Sequence, residues 1–80
     1  MTRVEIEYCV PCGLLDRAAD LQTTLLELFG QQLATVALRT GDGGVFAVRV
    51  DGETVYDKAE DEYDEDAIVA AVRERVRVET

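Results

Sequence analysis

The feature that most constrains how this chain folds is a change of hydrophobic period across two cysteines near its N-terminus. Before them, Val4, Ile6 and Tyr8 alternate with charged residues, which is the period of a half-buried strand. After them, over residues 13–29, apolar side chains recur every three or four positions, as on one face of an amphipathic helix. We therefore expect the segment Cys9-Val10-Pro11-Cys12 to lie where a strand ends and a helix begins.

A strand-to-helix junction favours thiol chemistry. The first N–H groups of a helix lack intrahelical partners and the helix dipole is positive there, so a nearby thiolate is stabilised relative to the thiol. Pro11, the only proline in the chain, suits a first helical turn because its missing N–H costs nothing there. Cys12 then falls in the same turn, within reach of Cys9 for a short-loop disulfide. This geometry favours Cys9 as the exposed, attacking thiol.

The helix after the cysteines is expected to end at Gly30, since glycine commonly closes helices. Its buried stripe has helical spacing and comprises Leu14, Ala18, Leu21, Leu25 and Leu28. A second strand follows, with apolar residues at Leu33, Val36 and Leu38. A glycine-rich loop at residues 40–44 ends that strand.

A hairpin and a second helix complete the pattern. Residues 45–50 and 54–56 are expected to form two antiparallel strands, because Asp51-Gly52 between them is a strong signal for a two-residue hairpin turn. Residues 57–66 are acidic and are expected to form an exposed loop. Residues 67–76 then form a helix, whose buried side chains are expected to be Ile68, Val69, Val72 and Val76.

The predicted order is strand, helix, strand, strand, strand, helix, in a single domain spanning residues 1–80. A crossover helix joins the first two strands, so these are expected to be parallel with a right-handed connection. The fold class is therefore α/β: a thioredoxin-like βαβββα arrangement with a mixed four-stranded sheet and two helices. A Cys-x-x-Cys beside a βαβ pattern also points to a thioredoxin-like redox motif.

The motif Cys-Val-Pro-Cys resembles thioredoxins and glutaredoxins, but the chain lacks the second proline that those families carry before their third strand. Its other features resemble the Rdx family, the relatives of selenoproteins W, T and H. They are Tyr8 before the cysteine pair, Gly13 after it, the run Gly44-Val45-Phe46-Ala47-Val48 and the turn residue Gly52. The likeness covers residues 4–76 of this sequence.

The resemblance implies a thiol-disulfide oxidoreductase-like protein with Cys9 and Cys12 as the redox pair. The supporting residues are Tyr8 before the pair, Pro11 between the two cysteines and Gly13 after them. In the selenocysteine members of the family, the position of Cys12 carries the selenium, which favours Cys12 as the attacking thiol. The helix-start argument favours Cys9 instead, and Cys9 is retained as the expected attacking thiol.

The leading functional hypothesis is a dithiol redox protein. One cysteine attacks a disulfide or sulfenic acid on a partner, and the other resolves the mixed disulfide. The expected partner is a thiol- or disulfide-bearing protein or a low-molecular-weight thiol, with no metal and no cofactor beyond an external thiol reductant. Gly43, Gly44 and Phe46 are candidates for a substrate groove beside the pair, although an ordinary flexible turn explains the glycines equally well.

Two other functions stay open. The chain is a candidate for a non-catalytic interaction domain whose binding is switched by the redox state of the cysteines, since fold alone does not establish catalysis. It is also a weaker candidate for zinc binding, because two thiolates supply half of a tetrahedral site. The chain has no histidine and no third cysteine, so a closed zinc site needs a dimer or an outside ligand.

The charge balance bears on partners and location. The chain has 17 acidic residues against 8 basic ones, for a formal net charge of -9. Such a chain repels nucleic acid and anionic membranes, so neither is an expected partner. An acidic, lysine-poor composition also resembles that of proteins from salt-loving organisms. The sequence shows no membrane-spanning run and no signal-peptide pattern, so we expect a cytoplasmic protein, and a monomer.

Overall fold

The computed structural model describes residues 2–79, so Met1 and Thr80 lie outside the described residues. Its elements follow the predicted order. They are β1 (Thr2–Cys9), α1 (Leu15–Phe29), β2 (Leu33–Gly41), β3 (Phe46–Val50), β4 (Glu53–Asp57) and α2 (Glu65–Glu79). A short 3-10 helix at Gly30–Gln32 joins α1 to β2. Within residues 2–79, neither α1 nor α2 is long and apolar enough to cross a membrane.

The strands form one mixed sheet in the order β2-β1-β3-β4. β1 pairs in parallel with β2 and antiparallel with β3, and β3 and β4 form an antiparallel hairpin. The hairpin turns at Asp51-Gly52, whose φ angles of 52° and 86° are those of a two-residue turn that follows the strand twist. The predicted thioredoxin-like fold, with a mixed four-stranded sheet and two helices, is confirmed.

One face of the sheet, the covered face, is apolar and packs against both helices. β1 contributes Val4, Ile6 and Tyr8 to this face, as their alternation predicts, and all three are buried. The helices complete the core with Ala18, Leu21, Leu25 and Phe29 from α1 and Ile68, Val69, Val72 and Val76 from α2. The buried residues predicted for the second helix are therefore confirmed.

The buried stripe of α1 differs from the prediction at its C-terminal end. Leu28 is 53% exposed, whereas Phe29 is buried with 8% exposure. With 3.6 residues per turn, position 29 points about 40° from Leu25 and position 28 points about 60° away on the other side. Phe29 therefore continues the stripe, and Leu28 lies at its solvent edge.

β2 contains an irregularity that explains its uneven sequence pattern. Thr2 pairs with Leu33 but Arg3 pairs with Thr35, so one extra residue, Ala34, is inserted into the strand. An inserted residue shifts the alternation of side chains by one position. Leu33 and Val36 are therefore both buried although they are three residues apart.

The opposite face of the sheet, the open face, carries charged side chains. Arg49 on β3 donates hydrogen bonds to Glu5 Oε1 at 3.0 Å and to Glu7 Oε1 at 2.9 Å. Arg39 on β2 lies 3.6 Å from Glu5 Oε1. These side chains are between 22% and 64% exposed, so they form a partly solvated ion-pair network on this face.

The acidic segment at residues 57–66 is only in part a loop. Asp57 is the last residue of β4, and α2 begins at Glu65, two residues earlier than predicted. Asp64 Oδ1 accepts a hydrogen bond from the Ala67 N–H at 3.2 Å, as a helix-capping carboxylate does. Tyr63 is half-buried, so the expectation of a fully exposed loop is wrong at that residue.

Candidate redox site

The cysteines lie at the carboxyl end of β1. Cys9 is still a strand residue, and its N–H donates to Val45 O at 2.8 Å. The next N–H, from Val10, donates to Gly41 O at 3.0 Å. These hydrogen bonds hold the end of β1 between the end of β2 and the loop that leads into β3. From there, residues 10–13 form a turn, which we call the cysteine turn.

Cys9 and Cys12 are joined by a disulfide bond, and their Cα atoms are 5.3 Å apart. Cys9 is fully buried at 0% exposure, whereas Cys12 is exposed. The expectation that Cys9 is the exposed thiol is therefore wrong. A residue still inside the sheet is enclosed by its neighbours, while Cys12 lies in the turn outside it.

The helix begins later than the sequence predicts. α1 starts at Leu15, and Gly13 lies between Cys12 and the helix with a φ of 76°. A residue in this left-handed region interrupts a right-handed helical path and favours glycine. Cys12 and Pro11 therefore belong to the turn ahead of the helix and not to its first turn. The helix-dipole argument for a stabilised thiolate at Cys9 loses its geometric basis, because the dipole effect is confined to the first turn.

The three supporting residues occupy two environments. Tyr8 is 7% exposed and packs in the core on the covered face. Pro11 and Gly13 are exposed in the cysteine turn. Tyr8 thus anchors the end of β1 through its packing on the covered face, while Gly13 supplies the backbone conformation that closes the turn.

The glycine-rich loop lies beside the cysteine turn, since Gly41 and Val45 accept hydrogen bonds from residues 9–10. Gly43 is exposed and Gly44 is half-buried, and both line a depression together with residues 57–59. Their φ angles are 69° and 83°, and the space where a side chain would begin is open at both positions. Backbone conformation, not close approach of a neighbour, is what requires glycine here.

Phe46 does not line this depression. It is 1% exposed, and its ring packs edge-on against Tyr56 and Tyr63, with centroids 6.2 Å and 5.7 Å away. Alternation along β3 places Phe46 on the covered face, with Val48 and Val50. The prediction of a groove residue at this position is therefore wrong.

Two side chains near this edge of the sheet were not singled out by sequence reasoning. The guanidinium carbon of Arg17 on α1 lies 4.5 Å from the centroid of the Tyr63 ring, a cation–π contact. Burial raises the pKa of Tyr63 above its usual value. This contact fastens the acidic segment to the start of α1. The available signal was a single tyrosine inside an otherwise polar run.

Sequence reasoning also missed the charged pair on the open face nearest the cysteines. Glu7 lies two residues before Cys9 on β1, so the two residues belong to the same face of the strand. Its hydrogen bond with Arg49 is the main reason why the pKa of Arg49 is raised above its already high usual value. The signal was the alternation of Glu5 and Glu7 opposite an arginine, which is typical of cross-strand ion pairs.

Metal chemistry finds little support in the arrangement of side chains. Among residues 2–79, no three or more histidine, cysteine, aspartate or glutamate side chains are grouped as a metal site. The zinc hypothesis therefore still depends on ligands from outside the described chain.

Comparison with known proteins places these observations in context. A model of the Rdx family matches residues 3–74. The chain is similar to a protein of known crystal structure from Bordetella parapertussis, with 34% identity, a TM-score of 0.86, and coverage of 92% of this chain and 96% of that one. It is also similar to a selenoprotein W-related protein from Vibrio cholerae, with 26% identity, a TM-score of 0.86, and coverage of 94% and 96%. No curated protein sequence gives a significant match.

Proposed function

Because this chain belongs to the Rdx family, we propose that it is a thiol-disulfide redox protein in which Cys12 attacks the substrate and Cys9 resolves the intermediate. The observation that carries the proposal is a disulfide between one exposed and one buried cysteine at the end of a central strand. An attacking thiol must reach its substrate, whereas a resolving thiol needs to reach only its neighbour. The family match and the cysteine pair support a redox role in general.

The electron balance follows from this assignment. In the dithiol form, the Cys12 thiolate attacks one sulfur of a substrate disulfide and expels the first substrate thiolate. Cys9 then attacks Cys12 in the mixed disulfide and expels the second thiolate. The substrate is reduced by two electrons, and the Cys9–Cys12 pair is oxidised to the disulfide. An external thiol reductant returns the pair to the dithiol, and the proposal needs no other cofactor.

The surroundings of Cys12 support a protein disulfide as the substrate in preference to a low-molecular-weight disulfide. Val10 and Leu15 flank the exposed cysteine along the chain and are 49% and 50% exposed. Apolar side chains next to a reactive thiol add contact area for a peptide segment. The acidic net charge disfavours nucleic acid and anionic membranes as partners. We further propose a monomer that works in the cytoplasm, where a thiol pool can regenerate the dithiol.

The test is the redox couple itself, measured by equilibration in dithiothreitol buffers followed by thiol trapping and mass analysis. We expect a reversible two-electron couple between about −180 and −270 mV. A pair that forms no intramolecular disulfide under oxidising conditions contradicts the proposal. A potential far below about −300 mV indicates a permanent disulfide, and so favours a structural or switching role over turnover.

Two matched variants assign the roles of the cysteines. Cys9→Ser keeps the exposed thiol and removes the resolving one, so it should accumulate a mixed disulfide with a model disulfide peptide. Cys12→Ser leaves only the buried thiol and should accumulate little. The opposite pattern would restore Cys9 as the attacking thiol.

A further inference from the structure

Gly41 leaves a gap on the open face that other side chains fill. A Cβ atom at this position would lie 2.8 Å from Val45 Cγ1 and 2.9 Å from Glu7 Oε2. Unlike the turn glycines, Gly41 does not have a positive φ angle. Its lack of a side chain therefore makes room for its neighbours, and the Glu7 carboxylate occupies part of that room.

The gap at Gly41 adjoins the buried cysteine. Gly41 is the parallel partner of Cys9 in the β1–β2 register. Paired residues of neighbouring strands lie about 5 Å apart and direct their side chains to the same face. Glu7 lies on that face too, two residues before Cys9, and its Oε2 atom lies at Gly41, the register partner of a cysteine that has no exposure to water.

The charged groups that face Glu7 come from the other three strands. Arg49 on β3 donates to Glu7 Oε1 at 2.9 Å. Arg39 on β2 is the register partner of Glu7 but makes its ion pair with Glu5. Asp57 on β4 lies across from Ala47, which itself pairs with Glu7. Arg49 thus holds one carboxylate oxygen of Glu7, and the other oxygen lies in the space at Gly41, which pairs with Cys9.

We propose that Glu7 Oε2 accepts the proton of the Cys9 thiol when Cys9 resolves the mixed disulfide. The inference rests on the proposed function, in which Cys9 is the resolving thiol. The S–H bond of Cys9 breaks and its proton moves to the Glu7 carboxylate. The Cys9 sulfur bonds to the Cys12 sulfur, the bond from Cys12 to the substrate sulfur breaks, and its electron pair leaves with the substrate thiolate. When a reductant opens the disulfide again, the proton returns from Glu7 to Cys9.

The reaction of the reduced protein with equimolar 5,5′-dithiobis(2-nitrobenzoate) separates the two steps. Attack by Cys12 releases a first coloured thiolate, and resolution by Cys9 releases a second. Glu7→Gln removes the proton acceptor with almost no change of shape. Glu5→Gln is the matched control, because Glu5 bonds the same arginine from the same strand and face but lies two residues farther from Cys9.

At neutral pH we expect Glu7→Gln to slow the second release about a hundredfold, as loss of a general base does, and to leave the first release within about twofold. The difference in the rate of the second release between Glu7→Gln and the wild type should shrink as the pH rises to about 8.5, where a thiol ionises unaided. Glu5→Gln should match the wild type in both phases. An unchanged second phase in Glu7→Gln, or equal slowing in both variants, overturns the inference.

The wild-type protein alone gives an independent readout. Resolution assisted by a carboxylate keeps its rate between about pH 8.5 and pH 6, whereas unassisted resolution falls about tenfold per pH unit below the thiol pKa. A tenfold fall per unit contradicts the role of Glu7. A wild type that releases two equivalents of coloured thiolate but shows this tenfold fall in rate still supports the redox function. A wild type that forms no intramolecular disulfide contradicts the redox function itself.

Discussion

The two faces of the sheet differ in what holds them together. The covered face is a continuous apolar layer under both helices, in which Ile6, Val48 and Leu21 have no measurable exposure. The open face is held by ion pairs that remain partly in water, from Arg49 to Glu5 and Glu7. Burial of apolar surface contributes far more free energy than partly solvated ion pairs do. The covered face therefore determines stability, and the open face is free to carry chemistry.

The buried cysteine belongs to the open face. The alternation along β1 assigns Tyr8 to the covered face and Cys9, with Glu7, to the open one. Cys9 is nevertheless fully buried, because the cysteine turn and the ends of the neighbouring strands enclose it. The site thus combines a thiol that is shielded from solvent with nearby polar groups. That combination arises only at the strand end, where the charged face meets the turn.

The largest expected effect is on the covered face, at Phe46. Phe46→Ala should lower the free energy of unfolding by about 3–5 kcal/mol, because it opens a cavity and removes the ring that Tyr56 and Tyr63 pack against. The measurement is urea unfolding of the oxidised protein followed by circular dichroism. Phe46→Leu is the control and should cost less, since it retains most of the apolar volume. A loss below about 1 kcal/mol for Phe46→Ala would contradict a core role and reopen its assignment to a groove.

A smaller effect on the same face should appear at alkaline pH. Burial raises the pKa of Tyr56 and Tyr63, so the folded state favours their neutral phenols. Their contribution to stability is complete below the ordinary tyrosine pKa of about 10 and is lost as the pH rises through the raised values. The free energy of unfolding, measured by urea titration in steps from about pH 8 to pH 11, should therefore fall at the alkaline end.

The variant Tyr63→Phe isolates this ionisation. It keeps the ring contacts with Phe46 and Tyr56 but cannot form a phenolate. We expect a shallower alkaline loss than in the wild type, and a smaller tyrosinate absorbance change over the same range. Equal slopes for the two proteins would show that Tyr63 titrates as it does in the unfolded chain.

The covered face was largely predictable from sequence, because each of its determinants is local. The alternation of Val4, Ile6 and Tyr8 and the Asp51-Gly52 turn are patterns within a few residues, and the structure contains them as predicted. The assignment of Phe46 to a groove was one exception, because Phe46 is buried. The choice between Leu28 and Phe29 was the other. It depends on the angle at which α1 meets the sheet, which a stripe of leucines at helical spacing does not specify.

At the site, the pairing of the two cysteines was predictable, but the geometry around them was not. The spacing of Cys9 and Cys12 identified the pair, but Cys9 is buried at a strand end whose hydrogen-bond partners, Gly41 and Val45, are more than thirty residues away along the chain. The gap at Gly41 has the same origin. It exists only because the parallel register sets Gly41 beside Cys9 and within reach of Glu7, and no local pattern encodes that register.

On the open face, breaking the ion pairs should have a modest effect. Arg49→Met keeps an apolar stem and removes the charge, and it should cost about 0.5–1 kcal/mol in the free energy of unfolding. In about 1 M salt the difference from the wild type should shrink, because charges are then screened beyond about 3 Å. A loss as large as that of Phe46→Ala, or one that salt does not change, would mean that the open face is a second core.

The smallest expected effect is a gain, at Ala37 on the open face. Ala37 is exposed on the edge strand β2 and pairs with Glu5, so a β-branched side chain there meets water and one strand neighbour. Ala37→Thr should stabilise the fold by up to about 0.5 kcal/mol through its strand preference.

Ala47→Thr is the matched control. Ala47 lies on β3, between β1 and β4, and is only 2% exposed, so added volume there should destabilise the fold by about 1–3 kcal/mol. Urea unfolding of the two variants should therefore give shifts of opposite sign. A loss at both positions would show that Ala37 is packed against other side chains and is not exposed to solvent as it is in the structure. The open face would then be covered at β2, and its contrast with the covered face would not hold on that strand.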